Sequence, residues 1–315
     1  MKDKLIVILG PTAVGKTDLS IELAKKLATE IISGDSMLVY RGFDIGSAKP
    51  GLKERQGIKH HLIDILDPAQ NFAVTDFVIR AKKIIHELNE QGKIPVLAGG
   101  TGLYIKALLE GYEFNVTEEH TEYRDYLAKL GEKYGKEYVH AMLARVNPEA
   151  AARLHVNDFR RVIRALEVAH FGAEKISQQK KGNDEASLIY NVYVIGLNRE
   201  RKSLYERINK RVEMMFDAGL ITEVANLLQS GVTRAMPAMK GIGYKETAAF
   251  IAGDMTKMAA LELIQKSTRH FAKRQLTWYR KMPYIHWYMA DELSAAELLT
   301  TTSRDIAGFF AEHGE

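Results

Sequence analysis

The 315-residue chain contains no cysteine, which excludes disulfides, thiolate zinc sites and cysteine nucleophiles together. Any bound metal must be held by oxygen or histidine nitrogen. No apolar run approaches the roughly 20 residues that a membrane-spanning helix needs, and the short run after Lys4 lacks the cleavage site of a signal peptide. A soluble, cytoplasmic protein is expected. Internal repeats, low-complexity tracts and flexible linkers are also missing. Excess charge is scarce: 44 Lys and Arg against 40 Asp and Glu leave a formal +4, too little to imply a nucleic-acid partner by itself. One local absence is sharper, because no acidic residue occurs between Lys266 and Lys281.

What is present begins with an apolar content of 46%, enough to bury a substantial core in one large domain or two smaller ones. Over the first hundred residues short β-branched runs alternate with helical periodicity. Strands are expected at 5–9, 30–33 and 94–98, and helices at 18–27, with Leu19, Leu23 and Leu27 on one side, and at 73–90. In the second helix Phe77, Ala81, Ile84, Ile85 and Leu88 form a buried face. This alternation is that of an α/β protein with a parallel sheet flanked by helices. From 113 to 187 the pattern changes to polar helices without β-branched runs, so a helical insertion domain is expected there. Strand character returns at 188–195, and the core is expected to comprise 1–112 and 188–315. Helices follow at 202–216, burying Leu204, Ile208, Val212 and Met215, and at 259–281.

Ligands of such sheets gather at the carboxyl ends of the strands, and three motifs fall there. After the first strand comes Gly10, Pro11, Thr12, Ala13, Val14, Gly15, Lys16, Thr17, a G-x-x-x-x-G-K-[ST] phosphate loop. Its glycines let backbone N–H groups turn toward an anionic phosphate, Lys16 and the helix N-terminus add positive charge, and Thr17 is placed to ligate Mg²⁺. Strand, loop and helix follow in the order the motif requires, although the loop does not say which phosphate it holds. Asp35 ends the second strand. A carboxylate there either holds Mg²⁺ through water, accepts a proton from a nucleophile, or caps a turn. Gly99, Gly100, Thr101 and Gly102 end another strand and would bring a hydroxyl and bare backbone near the same phosphates, or simply turn the chain.

Two basic clusters stand apart. Arg160, Arg161 and Arg164 form one. Lys266, Arg269, His270, Lys273, Arg274 and Arg280 form the other, interleaved with Trp278. On a helix, positions 266, 269, 270, 273 and 280 share a face, a stripe suited to a phosphate backbone as much as to water. Arg201 opens a helix after the returning strand, where a guanidinium could clamp a leaving diphosphate or merely be solvated.

Taken in order, these segments resemble the bacterial tRNA dimethylallyltransferases, or tRNA isopentenyltransferases, along nearly the whole chain. The resemblance is carried by the loop 10–17, by 35–50 from Asp35 to Pro50, by His60 to Asp64, and by Gly99 to Tyr104. It continues through Asn157 and Asp158 to Val168, Gly241 to Glu246, and Ala272 to Trp278. Departures are few: Leu38 stands where Gln is frequent, Ser47 where Thr is common, Glu200 before Arg201 where Asp is usual, and Asn147 before Pro148 where Asp is common. Eukaryotic relatives add a zinc finger, which the absence of cysteine excludes, so a bacterial member is implied.

The resemblance implies a phosphate-loop nucleoside-triphosphate-hydrolase-like fold. It also implies transfer of a dimethylallyl group from dimethylallyl diphosphate to N6 of the adenosine just 3′ of the anticodon, in tRNAs reading U-initial codons, with Mg²⁺ near Thr17 and release of diphosphate. It places the diphosphate on residues 10–17, gives Asp35 the role of base and orienting group, and gives Thr101 and Arg201 the leaving oxygens. Contacts with tRNA are implied for Asp35, Ser36, Met37 and Leu38, for Thr101 and Arg124, and for Arg160, Arg161 and Arg164. The others are Lys240, Gly243, Tyr244 and Lys245, with Arg269, Lys273 and Arg274. A monomer is implied. His60 and His61 are left without a role. A small-molecule kinase, a prenyltransferase acting on free AMP and a nucleotide-gated RNA-binding module are the alternatives; neither enzyme needs two basic clusters.

Overall fold

The computed structural model of the chain describes residues 2–112, 120–171 and 188–313. Two compact units divide the chain, one formed by 1–111 with 182–315 and the other by 112–181.

The larger unit is built on a parallel sheet. Strands β1 (Lys4–Leu9), β2 (Ile31–Ser33), β3 (His60–His61), β4 (Val96–Gly99), β5 (Asn191–Asn198) and β6 (His286–Met289) lie in the order β3-β2-β4-β1-β5-β6. Central β1 pairs with β4 and β5, Ile6 lying between Val96 and Tyr193. Because it is covered on both faces, Leu5 to Leu9 form an unbroken apolar run and are fully buried. Parallel strands need crossovers, and helices supply them. On the first half lie α1 (Lys16–Lys26), α2 (Leu52–Arg55), α3 (Val74–Glu90) and α4 (Gly102–Leu109). In α1, Leu19 and Leu23 are buried, but Leu27 lies just past the helix and is 38% exposed, so the apolar side is a turn shorter than its spacing predicts. The buried face of α3 follows most of the sequence pattern: Phe77, Ala81, Ile85 and Leu88 are inside, whereas Ile84 is half-buried and Val78 is buried in addition.

The second unit, described from its own contacts, holds α5 (Thr121–Tyr134), α6 (Lys136–Val146), α7 (Pro148–Arg153) and α8 (Phe159–His170) around Leu127, Val139, Leu143, Val162 and Leu166. The side chain of Asn147 accepts from Ala150 N ahead of Pro148, so it caps α7 as the more common Asp would. The stretches 113–119 and 172–187 of the expected insertion lie outside the described residues.

Back in the larger unit, α9 (Arg201–Asp217), α10 (Leu220–Gln229), α11 (Tyr244–Ile251), α12 (Lys257–Tyr279) and α13 (Ala295–Glu312) complete the fold. In α9, Leu204, Ile208 and Val212 are buried as expected, with Phe216 continuing the face and Met215 only half-buried. Strand β5 runs three residues later than 188–195, and edge strand β6, with His286 and Trp287 exposed and Tyr288 and Met289 half-buried, shows no alternation by which the sequence would reveal it. Among the described residues no helix is long and apolar enough to cross a membrane.

Candidate active site

The loop after β1 takes its shape from backbone freedom. Gly10 has φ 152°, and a Cβ on it would lie 2.5 Å from the Leu197 carbonyl oxygen of β5, so the loop passes against the neighbouring strand where only glycine fits. Gly15, at φ 113°, turns the chain into α1. The Lys16 ammonium folds back over the loop and donates to Gly10 O at 2.9 Å and Pro11 O at 2.8 Å.

Three arginines of β5's C-terminal side close round the same loop. Arg199 Nε donates to Val14 O at 3.1 Å, Arg207 Nε to Ala13 O at 2.9 Å, and Arg211 Nη1 approaches Thr12 Oγ1 at 3.5 Å. Among the described residues none of these cations forms an ion pair with a carboxylate; their protein partners are neutral oxygens. Burial, then the charge of Arg211, lowers the Lys16 pKa from its ordinary value to about 7, with Asp35 partly opposing. Burial likewise lowers Arg211, with Asp35 as the largest opposing charge. The corner thus concentrates positive charge on a rim of backbone N–H groups, the arrangement that receives a polyanion.

Facing it is the carboxylate of Asp35, at the end of β2. Asp35 Oδ1 accepts from Met37 N at 2.8 Å. The Thr101 hydroxyl oxygen accepts from Ser36 N at 3.1 Å, tying the Gly99–Gly102 turn to the segment that carries Asp35. Strand ends meet closely: a Cβ on Gly99 would lie 2.3 Å from Gly34 O. Thr12, Lys16, Thr17, Asp35 and Arg211 line one cavity of about 110 Å³, whose remaining wall includes Leu38, Ile63, Phe271 and Gln275. Oxygen donors for a hard cation are present in Thr17 and Asp35, but among the described residues no group of three or more carboxylate, histidine or cysteine side chains could hold a metal alone. That pattern suits Mg²⁺ held chiefly by a substrate's phosphates.

The segment from Asp35 to Leu66 contains little regular structure, and two charged side chains hold it. Lys49, its side chain 3% exposed, donates to Tyr40 O at 2.7 Å, Asp44 Oδ1 at 2.7 Å and Asp64 Oδ1 at 2.5 Å. Glu223 of α10 accepts from the backbone N–H groups of Asp44, Ile45 and Gly46 and from the Tyr244 hydroxyl.

The predicted positions fall into distinct settings. Of the 10–17 loop, Thr12, Lys16 and Thr17 line the cavity with Asp35 and Leu38, the other loop residues do not, and Thr101 follows Gly100 of its wall and is tied to Ser36. Arg201 does not line the cavity: it is exposed, with its guanidinium over the Tyr205 ring at 5.2 Å, whereas Arg207 and Arg211 lie beside the loop. Tyr244 and Gly243 are buried, and the Tyr244 hydroxyl bonds Glu223 while accepting from Ser47 N. The Tyr244 side chain therefore shapes the 43–47 loop, and direct contact with a large ligand is closed to it. Lys240 and Lys245 flank them, exposed.

On α12, Lys273 and Arg274 are exposed, whereas Arg269 is half-buried and donates to Asn209 Oδ1 at 2.5 Å. In the second unit Arg160 and Arg161 are exposed; Arg124 and Arg164 both bond the carboxylate of Glu167, which is fully buried. His60 lines the cavity with Nδ1 against Ile58 O at 2.9 Å, and His61 bonds Glu30 at 2.6 Å, a structural pair at the sheet edge. Arg199, Arg207, Arg211 and Gln275 are the site residues that motif reading misses. The spacing of Arg207 and Arg211, four apart beside the buried Ile208 and Val212, was the available signal.

Residues 38–282 match the family described as IPP transferase. The tRNA dimethylallyltransferase of Alkaliphilus metalliredigens is 44% identical over 311 residues, 98% of this chain and 99% of that one. That of Carboxydothermus hydrogenoformans is 46% identical over 288 residues, 91% and 92% of the two chains. The crystal structure of a tRNA isopentenylpyrophosphate transferase from Bacillus halodurans aligns with TM-score 0.73 and 41% identity, covering 99% of this chain and 98% of that one. A eukaryotic dimethylallyltransferase acting on tRNA aligns with TM-score 0.78 and 27% identity, covering 97% and 80%. With this match and these identities over nearly its full length, the chain belongs to the IPP transferase family.

Proposed function

We propose that this protein is a tRNA prenyltransferase. It moves the dimethylallyl group of dimethylallyl diphosphate to N6 of the adenosine immediately 3′ of the anticodon, in tRNAs that read U-initial codons, and releases diphosphate. The observation that carries the reading is the pairing, across one cavity, of a carboxylate, Asp35, with a phosphate loop whose cations, among the described residues, hydrogen-bond neutral oxygens and form no ion pair. A kinase-like loop therefore faces a base, and the family to which the chain belongs supports the choice of reaction.

The residues divide the work. Backbone N–H groups of the 10–17 loop, Lys16 and Arg211 receive the diphosphate, with Arg207 beside them. As the allylic C–O bond breaks, charge accumulates on the leaving oxygens, where preorganised donors and cations in a desolvated corner are most effective. Asp35 orients the N6 amine and takes its proton as the new C–N bond forms. Mg²⁺, held through Thr17 and the phosphates, would neutralise further leaving-group charge. The target base must leave its stack to reach Asp35. Lys240, Lys245, Lys273 and Arg274 offer exposed cations to the tRNA backbone, and Arg160 and Arg161 do so from the helical unit. Tyr244, Arg124 and Arg164 shape these surfaces. The protein works as a cytoplasmic monomer.

Purified protein with Mg²⁺, radiolabelled dimethylallyl diphosphate and unmodified tRNA should place label on that adenosine alone, and none on AMP supplied in parallel. Label in AMP would identify a free-nucleotide prenyltransferase, and label in neither would end the reading. Asp35→Ala should cut transfer by at least about 10²-fold while leaving tRNA affinity within about twofold of wild type.

A further inference from the structure

Gln275 sits on the inward side of α12, 5% exposed, in the wall of the cavity. Its Oε1 accepts from Thr12 N at 3.0 Å and its Nε2 donates to Gly100 O at 2.7 Å. The amide has one possible orientation here, since a backbone N–H can only donate and a carbonyl can only accept. One side chain therefore bridges the phosphate loop and the turn after β4. Tyr279, one helical turn on, donates to the same Gly100 O at 2.8 Å. The turn has no side chains where these groups approach: a Cβ on Gly100 would lie 2.6 Å from Gln275 Nε2, and one on Gly102 would lie 2.4 Å from Trp278 Cδ1. Positions 275, 278 and 279 thus form one gripping face of α12, by the i, i+3, i+4 rule.

We infer that Gln275 is a positioning residue that sets the phosphate loop at a fixed separation from the Gly99–Gly102 turn. Donors on the loop and the Thr101 hydroxyl then act on one leaving group rather than two misaligned halves of a site. The Thr12 N–H is already engaged by this amide, so Thr12 is left to meet a phosphate through its hydroxyl. Arg274 and Lys273 precede Gln275 on the same helix and are exposed, so the bridge also fixes the basic face of α12 with respect to the donor loop. The inference rests on the proposed reaction only for the identity of the leaving group.

The test uses full-length protein carrying Gln275→Met, Gln275→Ala, Gly100→Ala, and the double variant Gln275→Ala with Gly100→Ala. Two readouts are needed: steady-state transfer, and calorimetric titration with inorganic diphosphate and Mg²⁺. Misplacing a reacting group by about 1 Å costs up to roughly 10²-fold, so Gln275→Met should lower kcat about 10- to 100-fold with the KM for tRNA within about twofold. It should also weaken diphosphate binding. Gly100→Ala should show the same signature, because its Cβ must displace the amide. The double variant should be no worse than Gln275→Ala alone, since the methyl no longer meets the amide and its next neighbour, Asp35 Oδ2, lies at an ordinary contact distance of 3.8 Å, so that the two positions act as one unit. Wild-type kcat in Gln275→Met, strictly additive losses in the double variant, or a lowered Tm with kcat per folded molecule unchanged would each overturn the inference. Should wild-type protein bind diphosphate but transfer no prenyl group, the proposed reaction fails, and the diphosphate affinities of the same variants still decide the role of Gln275.

Discussion

The cations of the phosphate-loop corner and those of the helical unit look alike in the sequence and are opposite in the structure. Lys16, Arg199 and Arg207 donate to main-chain carbonyls, and Arg211 lies beside a hydroxyl; among the described residues none of them is in an ion pair, and Asp35 offsets the charge of Lys16 and Arg211 only in part. Arg124 and Arg164 converge on Glu167, whose side chain is wholly buried. Concentrating cations in a half-desolvated corner is unfavourable until an anion arrives, whereas a buried carboxylate with two guanidiniums is already satisfied. The first arrangement is built to bind and the second to hold helices together. A third set, on α12, is neither: Lys273 and Arg274 stand in water with no carboxylate partner among the described residues.

The largest expected effect breaks the first arrangement. Arg211→Met removes a cation from the wall of the cavity without emptying the space, and should lower kcat for transfer by about 10²- to 10³-fold, the usual loss for one charge-stabilising group. Arg201→Ala, at the exposed end of α9, should cost less than about threefold. Equal losses in the two variants would restore Arg201 to the role the family pattern gives it.

The second arrangement should fail in a different currency. Burial alone would raise the Glu167 pKa, but hydrogen bonds from Arg164, Arg124 and His120 N outweigh it and hold the carboxyl below its ordinary value. A carboxylate lowered in this way contributes stability above the ordinary pKa of 4.5, and that stability is lost as pH falls through the folded value. Arg164 is 40% exposed and Arg124 31% exposed, so solvent screens part of the interaction. Glu167→Gln should therefore cost about 1–3 kcal/mol at pH 7 rather than the larger penalty of a fully enclosed pair. Thermal unfolding followed by circular dichroism measures it, and an unchanged Tm would show the charge to be dispensable.

An intermediate effect concerns protonation of the loop itself. With a pKa near 7, Lys16 loses its charge in the ligand-free protein as pH rises past neutrality. A bound diphosphate restores that charge, so binding takes up a proton above about pH 7 and none below it. The KM for dimethylallyl diphosphate should be flat up to about pH 7 and then climb toward tenfold per pH unit. The stability slope has the same sign as in the Glu167 case, because both folded pKa values are lowered, but it acts in a different pH window. Between about 7 and 10.5 the unfolded chain carries the extra proton, so removing this buried charge makes the ligand-free fold more stable as pH rises. A KM independent of pH between 7 and 9 would mean that the ammonium stays charged without its ligand.

How far all this could be read from the sequence follows from which forces are local. The phosphate loop, α3 and the parallel alternation were legible because glycine geometry and hydrophobic period act within a few residues. The four core strands were expected from that alternation, though not their order in the sheet, whereas β3 and β6 are too short to show a period. At the site, Asp35 and Thr101 were visible as strand-end residues. Arg211 and Gln275 were not, since what makes them part of the site is contact with Thr12, 199 and 263 positions away. Likewise nothing near Tyr244 in the chain reveals that its hydroxyl bonds Glu223 and holds the 43–47 loop. Long-range satisfaction of polar groups has no sequence period.

The smallest effect sharpens the comparison most, because it separates a cation that binds RNA from one that supports the fold. Each phosphate contact contributes roughly 0.7–0.9 to the slope of log affinity against log salt. Lys273→Ala should therefore reduce the salt slope of tRNA binding by about 1 and weaken binding a few-fold, with Tm unchanged. Arg164→Ala should do the converse, leaving the slope nearly intact while lowering Tm, because its charge already faces Glu167 at 2.5 Å. Arg269 stands between them: its guanidinium is tethered to Asn209 Oδ1, yet it shares the α12 stripe, so its variant should move both readouts slightly. If Arg164→Ala lowers the salt slope as much as Lys273→Ala, the Glu167 pair opens on binding and the helical unit uses its structural arginines as contacts after all.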